Sequence, residues 1–268
     1  FRQYTQGLAL YDTRDKLEHF DAPASPSFRI DGSLSSLTGG LFERLEGVQL
    51  HFAQEVREVE VKEDGVALQT QEESFESDFV VLTLPPRLAA KMAFTPELPK
   101  DLLQKMQNTQ TWMGNSAKCV VEFRSAFWRE KSLSGFVFSH LGPLGEIHDA
   151  CIADKAALFG FVNLNADMQN LEHNVKGQMT RLFKIEPEEI LKVYVVDWKK
   201  EPLTAVDEDA SVRGGHPHYG INTQSYSKRV LFSATEFSYE EGGYIEGALL
   251  QAQKIAKELY QTQLSIAT

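Results

Sequence analysis

Among 268 residues there are two cysteines, Cys119 and Cys151. Two are too few for a disulfide framework and show no metal-ligand spacing, so both read as buried thiols in a reducing cytoplasm. No apolar run approaches the roughly twenty residues of a membrane-spanning helix, so no membrane anchor is expected. Positive charge is scarce as well: 27 Lys plus Arg stand against 38 Asp plus Glu, a formal net charge of −11. That balance argues against wrapping nucleic acid or lying on an anionic membrane, both of which need basic patches. The opening residues, FRQYTQGLALYDTRDK, lack the order of charged, apolar and small residues that marks a secretion signal. They also lack an initiating Met and open in what reads as a helix, as expected of a processed chain or a fragment.

What is present is an ordinary soluble composition, 42% apolar and 24% charged, in a chain long enough for one large or two modest domains. The most informative stretch is Arg229 to Tyr260. Val230, Leu231 and Phe232 form a short apolar run of the kind found in buried parallel strands. After a turn-rich loop, Ile245, Ala248, Leu249, Ala252, Ile255, Ala256 and Leu259 recur at helical spacing, with Gln251, Lys254, Lys257 and Glu258 on the other face. Gly242 and Gly243 stand at the start of that helix, where missing Cβ atoms and unpaired N–H groups suit an anionic or electron-rich ligand. The same turn also serves simple chain reversal.

The residues carry a more specific signal. Phe232-Ser233-Ala234-Thr235-Glu236, followed by Gly243-Tyr244-Ile245-Glu246-Gly247-Ala248, resembles the C-terminal FAD-binding signature of the flavin-containing amine oxidases, F-A-G-T-E-T, then G-Y-x-E-G-A. Ser233-Ala234 replaces the family's Ala-Gly and adds a Cβ near the expected cofactor. The resemblance implies that Thr235 and Glu236 lie near the ribityl and pyrophosphate part of FAD. It also implies that Gly243, Tyr244 and Ile245 point at the pyrimidine end of the ring system.

Further blocks follow in the family's order. Phe28 to Leu45 reads as a strand start, glycines and a helix that Gly47 would terminate. Leu8 to Phe20 reads as a short helix. Val48–His51, Val56–Val61 and Val66–Thr70 alternate as strands, with Glu63-Asp64-Gly65 as a hairpin turn, and Phe79–Leu84 is a buried strand closed by Pro85-Pro86. In the family the residue matching Val56 meets the adenine through its backbone; otherwise Val56 is one more inward strand residue. Phe94-Thr95-Pro96-Glu97-Leu98-Pro99 precedes a helix over 100–107. Gly114 to Phe123 and Phe127-Trp128-Arg129 resemble the monoamine oxidase run G-x-x-x-K, apolar strand, F-W-R. Its lysine, here Lys118, holds a water against flavin N5 and is the implied catalytic residue; by residue type alone Lys118 is a solvated lysine at a strand start. Residues 157–163 read as a strand, 168–183 as a helix and 190–198 as a strand ending in Trp198. In the family that Trp stands beside the flavin, whereas a Trp at a strand end is otherwise usually core. Pro202 to Glu208 has no Cys for a covalent flavin link, so flavin would be held non-covalently. Tyr244 is then the one recognisable member of the substrate-lining aromatic cage. His216 and His218 lack further ligands for a metal and read as a solvated loop.

The resemblance therefore implies an α/β (α+β) protein: a remnant of a doubly wound FAD-binding domain plus a mixed-sheet substrate domain with helices. The expected boundaries are 1–84 and 203–268 for the FAD part and 85–202 for the substrate part. The G-x-G-x-x-G unit that opens complete members is absent from this sequence. The implied activity is oxidation of a small-molecule amine with FAD and oxygen, and a homodimer is allowed for. Two alternatives stand beside it. One is a related flavoprotein acting on polyamines, carotenoids or porphyrins, with Glu208 a candidate acidic residue for polyamines. The other is a non-catalytic fragment or degenerate member that does not bind FAD alone.

Overall fold

The computed structural model describes residues 2–3, 7–21, 28–30, 33–211, 215–223 and 226–266. The chain forms two packing units, Phe1–Gln49 with Ser116–Asp197, and Leu50–Asn115 with Trp198–Thr268. In chain order, the first unit begins with β1 (Arg2–Gln3), β2 (Leu8–Asp12), β3 (Leu17–Asp21), β4 (Phe28–Arg29) and α1 (Leu34–Phe42). The second contributes β5 (Glu58–Val61), β6 (Val66–Gln69), β7 (Ser74–Ser77), β8 (Val80–Leu82), α2 (Pro86–Ala89), β9 (Ala93–Thr95) and α3 (Lys100–Asn108). The first resumes with β10 (Ala117–Phe123), α4 (Phe127–Glu130), β11 (Leu133–Ser139), β12 (Leu144–Asp149), β13 (Ala156–Val162), α5 (Leu171–Phe183) and β14 (Ile190–Asp197). The second closes with β15 (Val230–Phe232) and α6 (Ile245–Ile266).

The first unit is built on a mixed sheet of order β14-β10-β13-β12-β11-β2-β3. Strand β10 shows why it has two unlike faces. Ala117, Cys119, Val121 and Phe123 are buried, while Lys118, Val120 and Glu122 alternate onto the opposite side. Helix α5 supplies the inner face with Leu171, Val175, Met179 and Leu182, spaced three or four apart. The F-W-R segment has a structural explanation. Trp128 Nε1 donates to Asp149 Oδ2 at 2.9 Å, Arg129 donates to the same oxygen through Nε (3.0 Å) and Nη2 (2.7 Å), and the Cys151 amide donates to Oδ1 at 2.9 Å. Gly135, at φ +79°, leaves room for this: a Cβ there would stand 3.1 Å from Trp128 Nε1 and 3.2 Å from Asp149 Cβ. A second buried carboxylate, Asp12, is gripped by Arg181 Nη1 and Nη2 at 2.8 and 2.7 Å and accepts from Ser139. Burial works to raise the Asp12 carboxyl, but the bonds from Arg181 and Ser139 outweigh it and hold its pKa below the ordinary value.

The second unit has a sheet of order β7-β6-β5-β9 and a parallel pair, β15 with β8. Val59, Val66, Leu82, Leu102, Met106 and Phe232 meet in its core. The hairpin at 63–65 forms as the turn residues dictate, pairing Val61 with Val66.

Several sequence expectations are corrected. Residues 8–20 form the β2–β3 hairpin, not a helix, because β2 pairs in parallel with β11 (Leu8 with Leu133) and in antiparallel with β3, contacts that no local pattern encodes. Val48–His51 is exposed coil rather than a strand, Val56 lies just before β5, and β7 was not anticipated. Helix α1 ends at Phe42 with Glu43 as its cap, so Gly47 (φ +70°) bends the chain beyond the helix instead of capping it. On α6 the buried stripe is Gly247, Gln251 and Ile255; Ile245 and Leu249 are exposed, and the supposedly polar Gln251 donates to Phe232 O at 3.1 Å. The packing units divide the chain by contacts, with α2 and α3 in the core of β5, β8 and β15, and the functional boundaries at 84/85 and 202/203 stay an expectation.

Asp149→Ala should destabilise the first unit by about 2–3 kcal/mol, because it leaves the buried Trp128 indole N–H without an acceptor, while the half-exposed Arg129 guanidinium can turn to water. Urea unfolding followed by tryptophan fluorescence measures this, and Asp149→Asn, which keeps the volume and one acceptor, should cost less.

Candidate functional site

In the second unit, β15 leads through Ser233-Ala234 into one 3-10 turn, Thr235–Phe237, and then to the start of α6. Thr235 Oγ1 accepts from the Gly243 amide at 2.9 Å and donates to Tyr244 O at 2.7 Å, which ties the two halves of the signature together. Glu236 is 4% exposed. Burial raises its pKa, its own backbone amide opposes this, and the negative charge of Asp209 adds to the rise. The Glu236 carboxyl is thus easier to protonate than an ordinary one.

The glycine pair behaves differently from expectation. A Cβ on Gly242 would lie 2.6 Å from Tyr219 Cβ, and one on Gly243 would lie 2.9 Å from Tyr219 and 3.0 Å from His216 Nε2. Protein side chains therefore cover the faces that were expected to be open to a ligand. His216 stacks on Tyr244 with centroids 5.2 Å apart and planes 6° apart, and Trp112 meets both edge-on at 4.6 and 4.9 Å. Tyr219 donates to Gln110 O at 3.0 Å and accepts from the Trp112 amide at 2.9 Å; burial pushes its hydroxyl pKa up. The His216 segment is an exposed loop, as expected, whose His216 ring lies on Tyr244, and among the described residues no group of three potential metal ligands is found. Trp112 and Tyr219 are the neighbours of the signature that sequence reasoning passed over, while His216 figures there only as a candidate metal ligand. Their signal was the aromatic content of two loops far apart in the chain.

The segment expected to carry a cage residue, 202–208, is organised by the next acid along. Asp209, fully buried, accepts from Arg87 Nη1 at 2.5 Å, the Thr111 amide at 3.0 Å and the Val206 amide at 3.1 Å. Glu208 is exposed, 3.9 Å from Lys91 Nζ. Trp198 begins a 3-10 turn and is 37% exposed, so it is not core. Val56 is half-buried against the core cluster.

In the first unit, the sheet face away from α5 carries Lys118, Phe136, His148 and Phe159. Lys118 Nζ lies 4.0 Å from the Phe159 ring centroid. His148 stacks on the same ring at 5.0 Å and 20°, and Phe136 lies 4.9 Å from His148. A cation over an aromatic floor is the arrangement expected where an ammonium must stay charged yet partly dehydrated. Cys119, one residue along, faces the core, and burial pushes its thiol up to about 12, so it is inert beside this face.

The pattern of the family described as flavin containing amine oxidoreductase matches residues 10–260. The chain belongs to that family. It is 26% identical over 248 residues to amine oxidase [flavin-containing] A of Canis lupus familiaris, covering 85% of this chain and 45% of that protein. It is 27% identical to amine oxidase [flavin-containing] B of the same organism, covering 80% and 44%. The chain thus spans less than half the length of these relatives. Its fold is similar to that of a putrescine oxidase solved with putrescine bound, with a TM-score of 0.79 at 16% identity over 97% of this chain and 82% of that one. Cyclohexylamine oxidase from Brevibacterium oxydans IH-35A aligns with a TM-score of 0.61 at 22% identity, over 77% and 49%. At these identities the two structures speak to fold alone.

The Glu236 carboxyl gives a signed pH test. Its folded pKa is raised, so the native state holds a proton that the unfolded chain releases above the ordinary Glu range, and stability falls as pH rises through that window. Glu236→Gln should therefore raise Tm relative to the unaltered protein at neutral pH, with the difference vanishing once both states are protonated below the ordinary Glu value. Paired thermal melts across pH read this out.

Proposed function

We propose that the whole protein is an FAD-dependent amine oxidase that oxidatively deaminates a small-molecule amine with oxygen as acceptor. The observation that carries this reading is the ammonium of Lys118 held over Phe159 on an aromatic sheet face, in a chain of this family. Bound flavin would supply two-electron oxidation of the C–N bond, chemistry that belongs to the cofactor. The residues proposed to hold it are Val56, Trp198, Thr235, Glu236, Gly243, Tyr244 and Ile245, without a covalent link, since residues 202–208 contain no Cys. Glu236, whose carboxyl is easier to protonate than usual, would face the cofactor's polar part. Lys118 is the catalytic residue: its N–H groups orient a water, and its positive charge disfavours a protonated amine beside it, so the reacting amine is neutral. Phe136 and Phe159 give apolar surface to the substrate's carbon chain. A cytoplasmic setting belongs to the same reading.

One observation favours a second reading for the chain by itself. Tyr219 and His216 cover Gly242 and Gly243, and Ser233-Ala234 adds bulk, so this chain alone binds FAD weakly or not at all. The visible absorption spectrum, with intact mass and before and after FAD is added, tests both readings. The chain alone should be colourless and take up little flavin. The whole protein should carry a flavin band and release peroxide when given amine, and Lys118→Met should slow that release on the order of a hundredfold with flavin content unchanged. A whole protein that binds FAD but oxidises no amine would sink the oxidase reading.

A further inference from the structure

Strand β14 is eight residues long and closes one end of the seven-stranded sheet. β10 pairs along one side of it, and among the described residues no strand pairs along the other. The opposite end of the same sheet is β3, whose exposed Glu18, His19 and Asp21 discourage a further strand. β14 has little such protection. Its Leu191, Tyr194, Val195 and Val196 are between 41 and 51% exposed, and a long apolar edge of this kind is a template for another strand. The Tyr194 hydroxyl donates to Glu122 Oε2 of β10 at 3.0 Å, so its ring leans toward β10 and away from the edge.

The charges at its two ends decide what that strand is. The chain enters β14 through Glu188 and Glu189 and leaves it through Lys199 and Lys200, each pair in a 3-10 turn that flanks the strand. An acidic entry and a basic exit complement a second β14 running the opposite way, because each copy's entry then lies beside the other's exit. A parallel copy would set like charges together. Residues directly opposed across a sheet point to the same face, so a two-fold axis between identical antiparallel strands must pass through a residue paired with itself. With Val193 on the axis, Glu189 would come alongside Asp197, and with Val195 there it would come alongside Glu201. Tyr194 on the axis brings Glu189 alongside Lys199 and Glu188 alongside Lys200, pairs Val193 with Val195, and sets Lys192 against Val196. Its one poor match is Leu191 with Asp197. We propose that β14 pairs with β14 of a second copy of this chain, antiparallel about a two-fold axis at Tyr194, joining two sheets into one. A single edge pair is small beside the roughly 800 Å² per partner of a standard interface, so this dimer forms and dissociates with concentration.

Sedimentation equilibrium of the chain at about 1 μM and about 200 μM tests it, since contacts of this size associate in that range. The average mass should rise from the 30.2 kDa of one copy toward twice that value. Hydrogen exchange at the same two concentrations should show the amides of residues 190–197 slowing as the dimer forms. Two variants then read the charges: a basic one, Glu188→Lys with Glu189→Lys, and an acidic one, Lys199→Glu with Lys200→Glu. Each by itself should associate at least about tenfold more weakly than the unaltered chain, while their equimolar mixture should associate about as well as the unaltered chain, because only unlike copies then set opposite charges side by side. A chain that stays monomeric at the higher concentration would overturn the inference. So would a dimer whose β14 amides exchange no more slowly, or one that forms equally well in either variant alone, since the contact would then lie elsewhere on the chain.

Discussion

Asp149 sits at the end of β12 with its side chain turned into the core, where one oxygen takes the Trp128 indole and the Arg129 guanidinium and the other takes a backbone amide. A buried charge without such partners would cost several kcal/mol, so the strand has one acceptable register. That register decides which side every β12 residue faces. With Ile147 and Asp149 inward, Glu146 and His148 must point outward beside Phe159 and Phe161. A slip of one residue would bury Glu146 and remove it from the face that carries Lys118. The F-W-R segment, which sequence resemblance associates with the oxidase family, thus acts through the core, and its effect on the site is to aim other residues.

Buried carboxylates recur with different consequences. Asp12 and Asp209, like Asp149, each take an arginine together with hydroxyl or amide donors, and they pin segments that are distant in sequence. Glu236 is the exception. It is nearly as buried as the others, yet Asp209 adds a like charge rather than a counter-ion, and its pKa is raised. Perturbed acids of this kind cluster at functional sites, which is the ground for including Glu236 in the proposed cofactor site.

The open sheet face of the first unit and the aromatic cluster of the second are two kinds of surface. The first is a flat ladder in which register alone sets the order of charges, from Lys118 through Phe161 to Glu146. The second is made by loops, where Trp112, His216, Tyr219 and Tyr244 converge because the glycines beneath them have no Cβ to obstruct the rings.

What the sequence determined by itself was whatever rests on local periodicity and turn chemistry. The alternation of β10, the Glu63-Asp64-Gly65 hairpin, the apolar stripe of α5 and the buried runs of β8 and β15 were all legible, because each is enforced within a few residues of itself. So was the membership in a family, carried by motifs spread along the chain. Tertiary structure decided the rest. Leu8 to Asp12 became a strand because β11 offered it an edge, Gln251 was buried because a carbonyl of β15 lay within reach, and Gly242 and Gly243 were covered by rings from distant loops. The placing of Glu146 and Lys118 in one row depends on the pairing of three strands, and pairing between strands remote in sequence has no signature in any one of them.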